Sequence, residues 1–361
     1  LVLVLAGAAV VVVVGGVIGD GGAASGEGLA VGRREVTFVD PGRSTPALPE
    51  EDLDAQPDRT LETVVLYPTA NVEATSESTD VRPAGPPAAD GPFPLVVFAH
   101  GDSAGPEAYV PLVEPLVREG YVVALPRFPR TSRSATGLAD AVDQPADVSF
   151  VIDQVLALSD RPDGWLAGRV DPDRIAVAGH ALGAITAVAV TYDRCCADPR
   201  IDAAIAVAGT GVPSAAGALD DPPPTPLLLV HGVDDPTVPV AGSDELFARA
   251  GGPAWYLRLD DGDDTVPGFG RDGELTLAAM SAFLDARLRD DPEGLAEVAE
   301  EVEGSGRGEW RVRDVEAGAD PAVEVATTAA VGRPARPGRA GRGRRSGLAT
   351  PRPSGPAVSR W

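Results

Sequence analysis

The chain has 361 residues, 44% of them hydrophobic, enough for one large domain or two ordinary ones around a sizeable core. It carries 54 acidic against 30 basic residues, a formal net charge of −24, and every basic residue is arginine. Residues 333–361 hold eight of those arginines and no acid, so the body before them is still more acidic; such a surface repels nucleic acid, and no nucleic-acid partner is expected.

Residues 1–19 are uncharged and almost wholly aliphatic. The run is longer than the apolar part of an ordinary signal peptide and just long enough to span a bilayer, so signal peptide and membrane anchor both stand. Gly22-Ala23-Ala24-Ser25 suits a cleavage site, within a Gly/Ala/Ser linker over 20–33. Either reading implies an extracytoplasmic body, secreted or membrane-anchored, with the membrane as a partner if the segment is kept.

Apolar runs at 35–39, 60–67, 94–99, 121–126, 174–178, 201–208, 226–231 and 255–259 predict eight strands. Several are near-continuous, such as Leu95-Val96-Val97-Phe98 and Leu227-Leu228-Leu229-Val230, as in parallel strands covered on both faces. Helical spacing alternates with them. Tyr109, Leu112, Val113, Leu116 and Val117 share one face of a helix that Pro111 and Pro115 should shorten or kink. Val148, Ile152 and Val155 mark a second helix from Pro145, and Leu277, Met280, Leu284 and Leu288 mark a late one. This alternation predicts an α/β domain over 34–290 with a mainly parallel sheet. A short extension, 291–318, holds one amphipathic stretch at 293–303, and the Arg/Pro/Gly-rich residues 319–361 read as disordered. Asn71–Pro94 reads as a long Pro-rich loop. The adjacent Cys195 and Cys196 are either small buried apolar residues or a vicinal disulfide of an oxidising compartment.

The chemistry centres on Gly179-His180-Ala181-Leu182-Gly183, which follows the run Arg174–Ala178 and precedes an apolar helix. That is the strand, sharp turn and helix in which G-x-S-x-G presents a nucleophilic serine, with alanine where the serine belongs. Around it, Val65-Leu66-Tyr67-Pro68, Pro94 to Gly101, Gly120 to Ala124, Val170 to Ile175 and His231-Gly232-Val233-Asp234-Asp235-Pro236 occur in order. In these stretches residues 60–290 resemble the α/β-hydrolase superfamily, in the group of dienelactone hydrolases and of bacterial proteins related to platelet-activating-factor acetylhydrolase and chlorophyllase. The resemblance implies the α/β-hydrolase fold, a mostly parallel eight-stranded sheet with helices on both faces. It also implies acyl transfer to serine, assisted by a histidine, a carboxylate and a backbone oxyanion hole.

Carried over residue by residue, the resemblance places the nucleophile at Ala181, the acid at Asp235 (with Asp234 as competitor) and the base at Thr265, in Gly262-Asp263-Asp264-Thr265. The oxyanion-hole donors fall on the N–H of Leu182 and on the Asp102–Ser103 loop. His180 and His100 are candidate pocket residues, although His100 and His231 also suit structural roles in His-Gly turns at strand ends. Gly101-Asp102-Ser103-Ala104-Gly105 matches G-x-S-x-G literally, but it follows the fold's third strand, where an oxyanion loop belongs, rather than the fifth. The expected function is therefore that of a catalytically lost or impaired ester hydrolase, a pseudoenzyme that binds a small acyl or ester-like ligand or a partner. The alternative is an active ester or lactone hydrolase with a non-standard nucleophile such as Ser103. No spacing implies a metal or an organic cofactor.

Overall fold

The computed structural model describes residues 12–15, 29–69, 91–132, 140–209, 222–260, 262 and 272–314. Ten strands form one sheet in the order β1-β2-β3-β5-β4-β6-β7-β8-β9-β10. They are β1 (Val12–Gly15), β2 (Ala30–Asp40), β3 (Arg59–Thr69), β4 (Phe93–Ala99), β5 (Val122–Arg127), β6 (Val170–His180), β7 (Ala203–Val207), β8 (Leu227–Gly232), β9 (Ala254–Leu259) and β10 (Gly308–Arg313). All eight expected strands are present as β2 to β9. From β5 across to β9 the neighbours run parallel, whereas β1, β2 and β3 pair antiparallel at one side and β10 pairs antiparallel with β9 at the other. The exchange of β4 and β5 in the order, followed by β6 to β9 in sequence, is the strand order of the α/β-hydrolase fold.

Six helices accompany the sheet among the described residues: α1 (Val110–Arg118), α2 (Gln144–Ser159), α3 (Leu182–Tyr192), α4 (Ala241–Arg249), α5 (Gly273–Leu288) and α6 (Glu293–Ser305). Because alternate residues of a strand face opposite ways, the sheet feeds two cores. Leu95, Val97 and Ala99 of β4 join α2, α3 and α4 in one, while Val96 and Phe98 join α1, α5 and α6 in the other. The prolines limit α1 to nine residues, with Tyr109 in a 3₁₀ turn just before it. The extension after 290 is more ordered than its composition suggested: α6 packs on α5, and β10 adds an edge strand.

Four residues of the apolar N-terminal stretch form β1, paired with β2; the rest of it, most of the linker, the loop over 70–90 and the basic tail lie outside the described residues. Among the described residues no helix is long and apolar enough to cross a membrane.

A buried ion cluster ties the antiparallel side of the sheet to α2. Arg59 of β3, fully buried, donates to both carboxylate oxygens of Asp140 (2.5 and 3.0 Å) and of Asp147, and half-buried Arg43 reaches Asp147 at 2.8 Å. One residue before Pro145, Gln144 accepts from Thr186 of α3 and donates to Thr131 at 2.8 Å. Helix α2 thereby fixes the helix that carries the elbow.

Candidate active site

Strand β6 ends at His180 and α3 begins at Leu182, so Ala181 alone makes the turn, with φ 50° and ψ −114°. A β-carbon disfavours positive φ, and holding one there costs on the order of 1–3 kcal/mol. The elbow's backbone is therefore intact in the absence of the serine. Its two glycines are fixed by packing rather than by chemistry. A β-carbon on Gly179 would lie 2.8 Å from the Ala184 nitrogen and closer still to the Gly183 carbonyl. One on Gly183 would lie 2.6 Å from the His100 carbonyl oxygen and closer to that of Ala99. Strand β4 and helix α3 thus meet backbone to backbone.

The Ala181 N–H donates to Val207 O at 2.9 Å, while Ala184 and Ile185 donate back to Ala181 O. The N–H groups of Leu182 and Gly183 stand in the first turn of α3, whose dipole favours negative charge at that end. Across from the elbow is the loop after β4. There the Ser103 N–H donates to Thr131 O at 2.8 Å, which takes it out of the expected oxyanion donors. Ser103 itself is exposed with φ 56°, Asp102 is half-buried, and no side chain caps the following 3₁₀ turn.

The three histidines are accounted for one by one. His100 is buried; its Nδ1 donates to Gly101 O at 2.7 Å and its Nε2 accepts the Phe128 N–H at 3.0 Å. Burial holds its pKa down at about 4, so the ring is neutral and the proton sits on Nδ1. His180 lies next to the elbow, with Nδ1 2.9 Å from the Tyr109 hydroxyl. That hydroxyl also accepts the Gly101 N–H at 3.0 Å, so it bridges the loop backbone and the ring. Burial pushes the Tyr109 phenol up to about 12, which keeps it a donor. Tyr109 therefore clamps the post-β4 loop to the elbow, a contact between residues 71 apart in sequence that no local motif announces.

At the end of β8, Asp235 is buried and Asp234 exposed, which separates the two candidate acids. Asp235 Oδ1 accepts the N–H groups of Thr237 and Val238 at 2.8 and 2.7 Å. Its Oδ2 has no hydrogen-bond partner and lies 3.3 Å from His231 Nε2. His231 Nε2 lies 2.9 Å from Val238 O, and Nδ1 lies 2.7 Å from Ser243 Oγ, which itself donates to Gly209 O. Ser243, His231 and Asp235 thus form a serine–histidine–aspartate string, but Ser243 is fully buried, so no substrate carbonyl can meet its hydroxyl. Thr265 lies outside the described residues. Gly262 is placed, however: a β-carbon on Gly232 would strike it, so Gly262 sits against the end of β8. Among the described residues no group of histidine, cysteine, aspartate and glutamate could hold a metal ion.

Three comparisons bear on this geometry. The chlorophyllase family profile matches residues 67–229, from β3 through β8. The uncharacterized protein YfhR of Escherichia coli O157:H7 is 24% identical over 222 residues, 55% of this chain and 73% of that protein. Among solved structures, the ferulic acid esterase from Streptomyces cinnamoneus superposes with a TM-score of 0.56 at 22% identity, covering 74% of this chain and 92% of that one. The structural match shows the α/β-hydrolase fold, and the chlorophyllase profile, which spans under half of the chain, is a similarity in sequence over its central part.

Proposed function

We propose that this protein descends from a serine ester hydrolase, has lost acyl transfer or keeps only a trace of it, and uses the retained site to bind a small acyl or ester-like ligand or a partner. The observation that carries the reading is Ala181: the elbow holds its strained turn, with φ 50°, and presents a methyl group that has no lone pair to attack a carbonyl. Asp235 supports it from the other side: its Oδ2 accepts no hydrogen bond and faces only the structural ring of His231 at 3.3 Å, where a triad acid would orient the catalytic imidazole. Removing serine or histidine from a serine hydrolase costs about 10⁶ in turnover, and what is left, roughly 10³–10⁴ over water, comes from binding and the oxyanion hole. The hole proposed here is the Leu182 N–H with that of Asp102. An Asp102 carboxylate beside it opposes a developing oxyanion, a further reason to expect weak chemistry.

Ser103 supports a second reading, an active ester or lactone hydrolase, because it is exposed and also has positive φ. Against it, the ring bonds described for His100, His180 and His231 go elsewhere. A fluorophosphonate probe separates the two. The native chain is expected to stay unlabelled, and labelling that Ser103→Ala abolishes would establish the alternative. The aliphatic segment over 1–19 supports an extracytoplasmic location, secreted or anchored.

A further inference from the structure

Cys195 and Cys196 are the chain's only cysteines, and they are joined to each other. They occupy the turn that ends α3, the end opposite the elbow, about 16 Å away along an eleven-residue helix. Contrary to the buried-apolar alternative, Cys195 is exposed and Cys196 half-exposed. A structural disulfide stabilises chiefly by closing a long loop in the unfolded chain, and this bond encloses no residue between its partners. It therefore staples nothing.

The turn is held without it. The Cys195 N–H donates to Asp193 Oδ1 at 3.2 Å, and the Cys196 and Ala197 N–H groups donate to Asp193 O at 2.9 and 2.8 Å. The Asp198 N–H returns to Val190 O at 2.8 Å, and the Tyr192 hydroxyl anchors the end of α3 on Thr225 O at 2.8 Å. A bond that contributes little to the fold, lies open to solvent and sits on an independently built turn is placed for thiol–disulfide exchange, which requires in-line access of a thiolate to one sulfur.

We propose that Cys195–Cys196 is a reversible redox site, opened in the folded protein by a dithiol reductant and closed again by exchange with a disulfide oxidant, which leaves as its dithiol. A thiolate of the reductant attacks one sulfur, forming a mixed disulfide and releasing the other cysteine as thiolate. The reductant's second thiol then displaces the first cysteine. The reductant leaves as its cyclic disulfide, and the two protons it gives up end on Cys195 and Cys196. The site is separate from the elbow and does not depend on the function proposed there.

The test uses the full chain, purified without reductant, exposed to dithiothreitol under native conditions, trapped with N-ethylmaleimide and weighed intact. No adduct before reduction and two after it, in protein whose circular dichroism is unchanged and whose melting midpoint stays within about 2 °C, is the expected result. Two adducts before reduction would overturn the proposal, as would adducts that appear only after denaturant is added. The variant C195S/C196S should take up no label and melt with the native chain; a large loss of stability in it would show the bond to be structural instead.

Discussion

Substituting Gly183 by alanine tests why an elbow motif persists where its serine is gone. The new β-carbon would lie 2.5 Å from the Ala99 carbonyl carbon and 2.6 Å from the His100 carbonyl oxygen. Both neighbours are backbone, one in β4 at the centre of the sheet and one at its end, so no side-chain rotation relieves the overlap. The Ala99 carbonyl oxygen would be closer still, so strand and helix must separate by roughly an ångström, and such overpacking costs ~3 kcal/mol, at the upper end of its usual range. Gly304 is the internal control: it lies in α6 with nothing within 4 Å of the place a methyl group would take, so alanine there should be neutral or stabilising by up to ~1 kcal/mol. Urea unfolding of the two variants beside the native chain reads both signs. Thermal melts should show Gly183→Ala lower by on the order of 6–10 °C. A Gly183→Ala protein that melts within about 2 °C of native would refute the reasoning, because the close approach of α3 to β4 would then not hold the motif in place.

The remaining predictions concern the elbow turn, the buried ion cluster and His100. Ala181→Gly removes the β-carbon from a positive-φ position and should raise stability by up to ~1 kcal/mol in urea titrations; an unchanged or lower midpoint would argue against a strained turn. Arg59→Met leaves Asp140 and Asp147 buried with only Arg43 in reach, and should cost ~3–5 kcal/mol, against less than ~1 kcal/mol if the cluster were solvated. The pKa of His100 falls from its ordinary 6.5 to about 4 on folding, so the unfolded chain binds the extra proton between those values. Its contribution is complete above pH 6.5 and is lost as pH falls toward 4, by about 3 kcal/mol in all. His100→Asn should flatten the stability–pH slope in that window, and an identical slope in the variant would exclude His100 as its source.

The central strands were legible because burial on both faces leaves a run such as Leu95–Phe98 no polar residue to hide its period. The strand, turn and helix of the elbow are legible because glycine spacing records backbone contacts, as Gly183 against Ala99 makes plain. Strand β10 leaves little trace in the sequence: Trp310 and Val312 alternate with Glu309, Arg311 and Arg313, but six residues of edge strand are a weak signal. Helix α4 escaped because only Ser243, Leu246 and Phe247 of its nine residues are buried. The contacts that tune the site were beyond local pattern altogether. Tyr109 meets His180, and Arg59 meets Asp140 and Asp147, across more than seventy residues, and each partner alone reads as an ordinary core tyrosine or surface charge. The Ser103 N–H was counted as an oxyanion donor because nothing nearby in sequence reveals Thr131 as its acceptor.

The proposed persistence of an ester-hydrolase scaffold without its reacting groups stands or falls on turnover. Hydrolysis of a short-chain p-nitrophenyl ester by the native chain, beside Ala181→Ser with Thr265→His, tests it most directly. Native turnover should be no more than roughly 10³–10⁴ over water and unaffected by Ser103→Ala, with a large gain in the doubly substituted protein. Native turnover far above that level, copurifying with the chain and lost in Ser103→Ala, would contradict it.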